Sequence, residues 1–459
     1  MSDNKNNEYD LTQGPILKRL LKMAAPLMAT SFMQMAFNLA DMFWLSRMEG
    51  DSGGAVAAAG TAGMYFWLAM AFIFIGRMGA QIGVSQNMGK GEPATAKKYA
   101  QNAFGIGLLF GMVYMVILIT MQRPLIGFFG MEDPAVITMA QQYMAATAFA
   151  MPFLFGHHVI TGIFIGYGNT KVPFIINSGS LAINISITPI FIFVLDMGIA
   201  GAGYATVIAS VINFAAKVWA MSKYKGRPFP VYRPLAKPEA VFVRQIFKWG
   251  VPIGIETAFM AFMSMLVTRF VAEFGTGALA AQRVGSQVES LAWMMAGGFG
   301  SALTGFMGQN FGAKKFGRMR RTYRLSLAVM SGYGVFIGVV LFAFAPQLVG
   351  IFLDCPYEIQ MGVEYLRVFA FTQVFFCAEE VAFGSFMGMG HTYKPTIVSS
   401  SGNALRVVIV FLMVTFTDSG LFGIWVGVSI SLVVRSVWML TWYKLNERRF
   451  IPKFDEETA

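Results

Sequence analysis

Charge is scarce in this chain. Asp, Glu, Lys and Arg make up 13% of its 459 residues, against about 25% in soluble globular proteins. That argues against a soluble multidomain enzyme. Disorder is excluded from the other side, because 56% of the residues are hydrophobic. Cysteine is nearly absent: Cys355 and Cys377 form no metal or redox motif and cannot build a disulfide framework. No Walker loop, Gly-rich strand-to-helix fingerprint or Cys/His metal spacing occurs, so no enzyme constellation or cofactor site is expected. The segment Met1 to Asp10 is polar and the first apolar run is full length, which is not the pattern of a cleavable signal peptide.

What is abundant is apolar: 44 Phe, 33 Met and 49 Gly, in long runs separated by short polar or Gly/Pro-rich breaks. A membrane span needs about 20 apolar residues. The runs predict spans at 16–46, 54–88, 94–121, 135–166, 171–196, 198–222, 241–271, 277–310, 316–345, 357–388, 393–417 and 420–444. Their length makes them helices rather than strands. The expected fold class is therefore an all-α polytopic membrane protein with twelve transmembrane helices.

The net charge of +11 is explained by topology. With the N-terminus inside, cytoplasmic segments collect most Lys and Arg, including Lys18, Arg19, Lys22, Lys97, Lys98, Lys223, Lys225, Arg227, Arg233, Lys314, Lys315, Arg318, Arg320, Arg321, Arg324, Arg448 and Arg449. This is the positive-inside pattern. The opposite loops carry Glu49, Asp51, Glu132, Asp133, Asp354 and Asp418. Both termini are expected in the cytoplasm and the protein in the cell (inner) membrane. No basic stripe alternates with aromatics, so no nucleic-acid partner is expected; the bilayer is the expected partner surface.

The strongest internal signal is a repeat. A shift of 222 residues brings Pro124 onto Pro346, Pro134 onto Pro356 and Tyr143 onto Tyr365. Gly162 then meets Gly384, Gly166 meets Gly388, Gly168 meets Gly390 and Pro173 meets Pro395. Upstream the shift becomes 223, where Gln86, Asn87 and Gly89 meet Gln309, Asn310 and Gly312, and Pro26 meets Pro252 at 226. Each half holds six spans. Six is even, so the halves run parallel, related by a pseudo-two-fold axis along the membrane normal. The expected organisation is an N-terminal six-helix lobe (1–222), a Pro-rich linker (223–240), a C-terminal six-helix lobe (241–445) and a cytoplasmic tail (446–459). Two such bundles favour a transporter that rocks one lobe against the other around a central cavity.

Several motifs carry a family resemblance. Asn38-Leu39-Ala40-Asp41 follows Pro26 in span 1, and Gln86-Asn87-Met88-Gly89 ends span 2. Gly166-Tyr167-Gly168-Asn169-Thr170-Lys171-Val172-Pro173 links spans 4 and 5. Their counterparts are Gln309-Asn310-Phe311-Gly312-Ala313 and Gly388-Met389-Gly390-His391-Thr392-Tyr393-Lys394-Pro395. In order, spacing and repetition they resemble the multidrug and toxic compound extrusion (MATE) transporters over nearly the whole chain. The resemblance implies a cation-coupled antiporter, driven by H⁺ or Na⁺, that exports organic and often cationic compounds. With no ATP site, transport would run on an ion gradient.

Charges at membrane depth are costly unless they have a task or a partner. Asp41, in span 1, is the leading candidate for coupling: it would hold H⁺ or Na⁺ on one stroke and a cationic substrate on the other. The resemblance places an essential acid in this motif. Asn38 lies one turn earlier on the same face and would orient the carboxylate or ligate Na⁺. In span 5, Asn184-Ile185-Ser186-Ile187-Thr188-Pro189 resembles a family stretch with Asp at the position of Thr188. A hydroxyl hydrogen-bonds but carries no titrating carboxylate, so a mechanism with two N-lobe acids does not transfer. Asn184, Thr188 and Thr206 are expected to form a polar network.

In the second half, Glu256 follows Pro252 in span 7 and is a second coupling-ion candidate, including for Na⁺. Glu379 and Glu380 sit mid-span in span 10. Adjacent helical residues point about 100° apart, so each faces different neighbours, and at least one is expected to bind the coupling ion or substrate. At the repeat shift they correspond to His157 and His158, an expected pH-sensing pair, since histidine titrates near physiological pH. Arg77, Arg283, Arg367, Arg406 and Arg435 are expected to partner Glu289, Glu364, Glu379 and Glu380, with anionic-substrate binding the alternative. Met260, Met263, Trp293 and Phe383 are candidates for a plastic substrate cavity.

The sequence thus points to a monomeric twelve-helix secondary antiporter for small organic molecules. A lipid-linked oligosaccharide flippase of related architecture, a passive channel and a membrane receptor are the alternatives.

Overall fold

The computed structural model describes residues 9–45, 47, 52–130, 133–232, 236–417 and 419–450, except the side chains of 38, 39, 41, 42, 45, 52, 53, 56, 448 and 450. Every regular element among them is helical. The first half contains α1 (Ile16–Leu45), α2 (Ser52–Gly89), α3 (Pro93–Thr120), α4 (Gln122–Gly127), α5 (Pro134–Ala148), α6 (Met151–Tyr167), α7 (Lys171–Pro189) with a π-helical turn at Ile190–Val194, and α8 (Gly198–Lys223). The second contains α9 (Ala240–Ala272), α10 (Thr276–Gly312), α11 (Phe316–Ala343), α12 (Ala345–Gly350), α13 (Pro356–Ala370), α14 (Gln373–Gly388), α15 (Tyr393–Phe416) and α16 (Gly420–Phe450).

Each predicted span falls on one long helix or one helix pair. Among the described residues, eight helices are long and apolar enough to cross a membrane, and the α5–α6 pair, bent by 51°, makes a ninth. The other three predicted spans coincide with α1, α10 and the α13–α14 pair. Their polar side chains explain the lower hydropathy: Gln34, Asn38 and Asp41 in α1, Arg283 and Glu289 in α10, and Glu364, Arg367, Glu379 and Glu380 in α13–α14. Large apolar side chains such as Val116, Phe336 and Val408 are exposed along the spans, as expected where lipid replaces water.

The repeat reappears as packing. Short helices α4 and α12 precede a span that is interrupted after Ala148 in one half and after Ala370 in the other. The turns after α6 and α14 use Gly168 (φ 100°) and Gly390 (φ 77°), in the left-handed region that glycine enters freely. A Cβ on Gly162 would lie 2.5 Å from the Arg77 carbonyl oxygen, and one on Gly384 would lie 2.6 Å from that of Gly300. One turn on, Gly166 abuts the Gln81 carbonyl and Gly388 that of Thr304. Small residues let the backbones of α2 and α6, and of α10 and α14, approach closely.

The chain forms two compact units that exchange segments. Unit 1 comprises Met1–Asp10 and Ala29–Gly254; unit 2 comprises Leu11–Met28 and Ile255–Ala459. Thus α1 changes unit just after Pro26, and α9 just after Pro252. In unit 2, Leu11 N–H donates to Gln309 Oε1 at 3.0 Å, Asn310 Nδ2 donates to Leu11 O at 3.2 Å, and Arg318 donates to Gly14 O at 2.7 Å. The first turns of α1 therefore belong to α10 and α11. In unit 1, Glu239 N–H donates to Asn102 Oδ1 at 2.8 Å, and Gly250 and Gly254 fit against the Ile75 and Ala71 carbonyls. The first turns of α9 belong to α2 and α3.

Candidate functional site

Each unit buries a polar cluster at the position of its paired titratable residues. In unit 1, His157 and His158 project from α6, their rings 4.5 Å apart. His157 is buried and faces α8. There stands Lys217, fully buried, whose Nζ donates to Asn177 Oδ1 at 2.7 Å, Thr161 Oγ1 at 2.8 Å and His157 O at 3.3 Å. It also lies 3.4 Å from His157 Nδ1. Asn213 Nδ2 donates to Ser180 Oγ at 2.6 Å and Asn177 Oδ1 at 3.1 Å, which fixes the Asn177 oxygen as the acceptor for lysine. The charge of Arg77, on α2, reaches His157, His158 and Lys217.

In unit 2 the same positions are acidic. Glu379, buried on α14, faces α16, where Arg435 Nε lies 2.9 Å from its carboxylate and Ser436 Oγ donates at 2.8 Å. Arg435 Nη1 donates onward to Asn403 Oδ1 at 3.1 Å. Gly402 makes room for the arginine stem: a Cβ there would lie 2.5 Å from Arg435 Cγ. Glu380 turns instead toward α10, against Gly300, the repeat counterpart of Arg77. Glu256 is close enough for its charge to interact with Arg435, Glu379 and Glu380. Among the described residues, neither the Glu256 nor the Glu380 carboxylate takes a hydrogen bond.

A third carboxylate, Glu289, accepts from Tyr365 Oη at 2.9 Å and Gln373 Nε2 at 3.1 Å. Gly285, one turn before it, makes the space for the Tyr365 ring. Of the expected arginine partners, Arg435 pairs with Glu379. Glu289 is instead held by neutral donors, with the charge of Arg406 nearby. Arg367 lies over the Phe342 ring at 5.5 Å.

Comparison with known proteins places the architecture. The MatE family model matches residues 26–190 and 252–412. The chain belongs to the MatE family. Among the relatives of this MatE protein, "Probable multidrug resistance protein NorM" of Thermotoga maritima is 25% identical over 93% of this chain and 92% of its own length. "Probable multidrug resistance protein YpnP" of Bacillus subtilis is 25% identical, covering 91% of each chain. A solved structure described as the outward-facing conformation of a multidrug resistance MATE family transporter of the MOP superfamily superposes with TM-score 0.90. That match has 19% identity and covers 98% of this chain and 99% of the other.

Within the MatE fold, the structure brings together the sequence-selected trio of span 5 and span 6. Thr188 Oγ1 donates to Asn184 Oδ1 at 2.9 Å and to Asn184 O at 2.8 Å, while Asn184 Nδ2 donates to Thr206 Oγ1 at 3.5 Å. Asn184 and Thr188 are buried. Asn38 and Asp41 lie on α1, with side chains outside the described residues. The cavity candidates differ in exposure: Met260 and Trp293 are exposed, Met263 is buried and Phe383 half-buried. No described ring contact joins Trp293 to Phe383.

Lys217 was not among the residues singled out by sequence. Near the end of span 6 it looks like one more positive-inside charge. The available signal was its setting, Phe214-Ala215-Ala216-Lys217-Val218-Trp219, an apolar stretch before the terminal basic residue Lys223.

Proposed function

We propose that this MatE protein is a monomeric secondary antiporter that exports organic cations by alternating access in exchange for an inward coupling ion, H⁺ or Na⁺. The observation that carries this reading is the acidic cluster of unit 2. Arg435 neutralises Glu379, which leaves Glu256 and Glu380 as membrane-embedded carboxylates with no hydrogen-bond donor among the described residues. Such groups need a cation, and a proton, Na⁺ or an organic cation each satisfies them. Competition for one set of carboxylates is the simplest coupling: a ligand shifts the equilibrium only by its differential affinity for the two states. The names of the relatives support a drug-like substrate. Asp41 on α1 would add an N-lobe exchange point, with bending near Pro26 transmitting the change. The basic loops support cytoplasmic termini.

A second reading has an observation of its own. The basic cluster of unit 1, half-buried Arg77 and buried Lys217, would suit an anionic or zwitterionic substrate, as a flippase of related architecture requires.

The test is efflux of ethidium, and separately of an anionic dye, from proteoliposomes under an imposed ΔpH or an imposed ΔNa⁺. Ethidium efflux under either gradient supports cation antiport. Anionic-dye transport alone would replace it with the second reading, and equilibration without counter-ion movement would indicate a passive channel.

A further inference from the structure

We propose that Lys217 is a proton-binding site of unit 1: it takes up and releases a transported proton as the transporter cycles. The proposal rests on the antiport reading above, with H⁺ as the coupling ion.

The geometry is unlike that of a structural lysine. A buried ammonium is normally held by a carboxylate. No ion pair to Lys217 occurs among the described residues, although the side chain is fully buried. Among the described residues, the groups around it are basic or neutral. From α6 come His157 and His158, and from α2 the charge of Arg77. From α7 come Asn177 and Ser180, which are neutral. The α5 segment packed on α8 carries no charged side chain.

The hydrogen-bond partners also suit two protonation states. As –NH₃⁺, Lys217 donates to Asn177 Oδ1, Thr161 Oγ1 and His157 O. As –NH₂ it needs one donor to its lone pair. Both the Thr161 hydroxyl and the His157 Nδ1, 3.4 Å away, can supply that donor, by rotation and by tautomer exchange respectively. Neither a carboxylate nor a carbonyl could reverse its role in this way. Release is written Lys217–NH₃⁺ → Lys217–NH₂ + H⁺. A second positive charge entering unit 1 raises the repulsion already exerted by Arg77, so binding of a cationic substrate expels the proton.

The repeat isolates this feature. The counterpart of Lys217 in unit 2 is Met439, and that of Asn213 is Arg435. Unit 2 therefore has a cation locked to Glu379, whereas unit 1 has one with no acidic anchor among the described residues.

The test uses the full-length protein in proteoliposomes and in detergent, with Lys217→Arg, Lys217→Met and Lys217→Gln. Arginine keeps its charge at every working pH, so Lys217→Arg preserves the cation without proton exchange. The expected result is that all three variants lose ΔpH-driven ethidium efflux by roughly tenfold or more. Arg and wild type should match in melting temperature. Wild type should release more protons on binding ethidium in weakly buffered detergent solution than the Arg variant. Full ΔpH-driven efflux by Lys217→Arg, or unchanged proton release, would overturn the assignment. Should the neutral variants fail to fold, Lys217→Arg and the proton-release measurement still decide. Wild-type efflux that follows ΔNa⁺ and ignores ΔpH would overturn proton coupling itself. Wild-type efflux that follows ΔpH and survives in Lys217→Arg would overturn only this site.

Discussion

His157 and Glu379 occupy equivalent positions in the two repeats, and each is met by a cation from the second long helix after its own, α8 or α16: Lys217 at 3.4 Å in one case and Arg435 at 2.9 Å in the other. One pairing is basic with basic, the other acid with base.

Glu379 and Arg435 form a buried ion pair. Arg435→Met should lower the melting temperature in detergent, on the order of 3–5 kcal/mol for a stranded buried charge. Arg435→Met with Glu379→Gln should recover most of that loss, because no uncompensated charge remains. A double variant no more stable than Arg435→Met alone would show that the pair does not act as a unit.

Glu380→Gln and Glu256→Gln should leave the melting temperature nearly unchanged, since neither carboxylate takes a hydrogen bond among the described residues. Each should reduce gradient-driven efflux by about tenfold or more. Efflux at the wild-type rate in both variants would remove the acidic cluster from the coupling scheme.

Asp41→Asn should abolish or uncouple efflux, as expected if the carboxylate on α1 exchanges ion for substrate. The check is counterflow: an uncoupled variant still exchanges labelled for unlabelled substrate while ignoring the imposed gradient. Full gradient-driven transport by the variant would refute a coupling role.

Replacing both His157 and His158 with Gln should alter the pH profile of transport, as expected if this imidazole pair takes up a proton during the cycle. An unchanged profile would reduce the pair to core packing and leave Lys217 as the only titrating member of its cluster.

Gly384→Ala should be destabilising by about 1–3 kcal/mol, because its Cβ would lie 2.6 Å from a backbone oxygen that cannot swing aside. Gly60→Ala is the control: its Cβ would meet nothing within 4 Å. Equal melting temperatures for the two variants would contradict the close approach of α10 and α14.

The architecture was largely legible because lipid enforces a simple grammar: long apolar runs, basic loops on one side, and glycines where helices touch. Gly162 and Gly384 announced themselves by recurring at one spacing, and their contacts, Arg77 and Gly300, are counterparts at the upstream spacing, one residue longer. The Asn184–Thr188–Thr206 trio was also legible, since two of its members lie one turn apart on one helix. Partnerships across helices were harder. Glu289 could have taken any nearby arginine, yet Tyr365 and Gln373 reach it from helices separated from it by loops. Lys217 was hidden by the rule that explained its neighbours. A basic residue near a span end normally reaches for the interface, and only the packing of α6 and α7 against α8 shows that this one does not.

The early change of unit by α1 and α9 bears on how this protein could be divided. A cut within 223–240 separates the two repeats in sequence, but each resulting fragment carries the opening turns of the other's bundle. Leu11 would leave with the wrong partner, away from Gln309 and Asn310, and Glu239 would leave Asn102 behind. Neither fragment is a self-sufficient half-transporter. The two would regain a native fold only when made together, like two hands that must clasp before either closes.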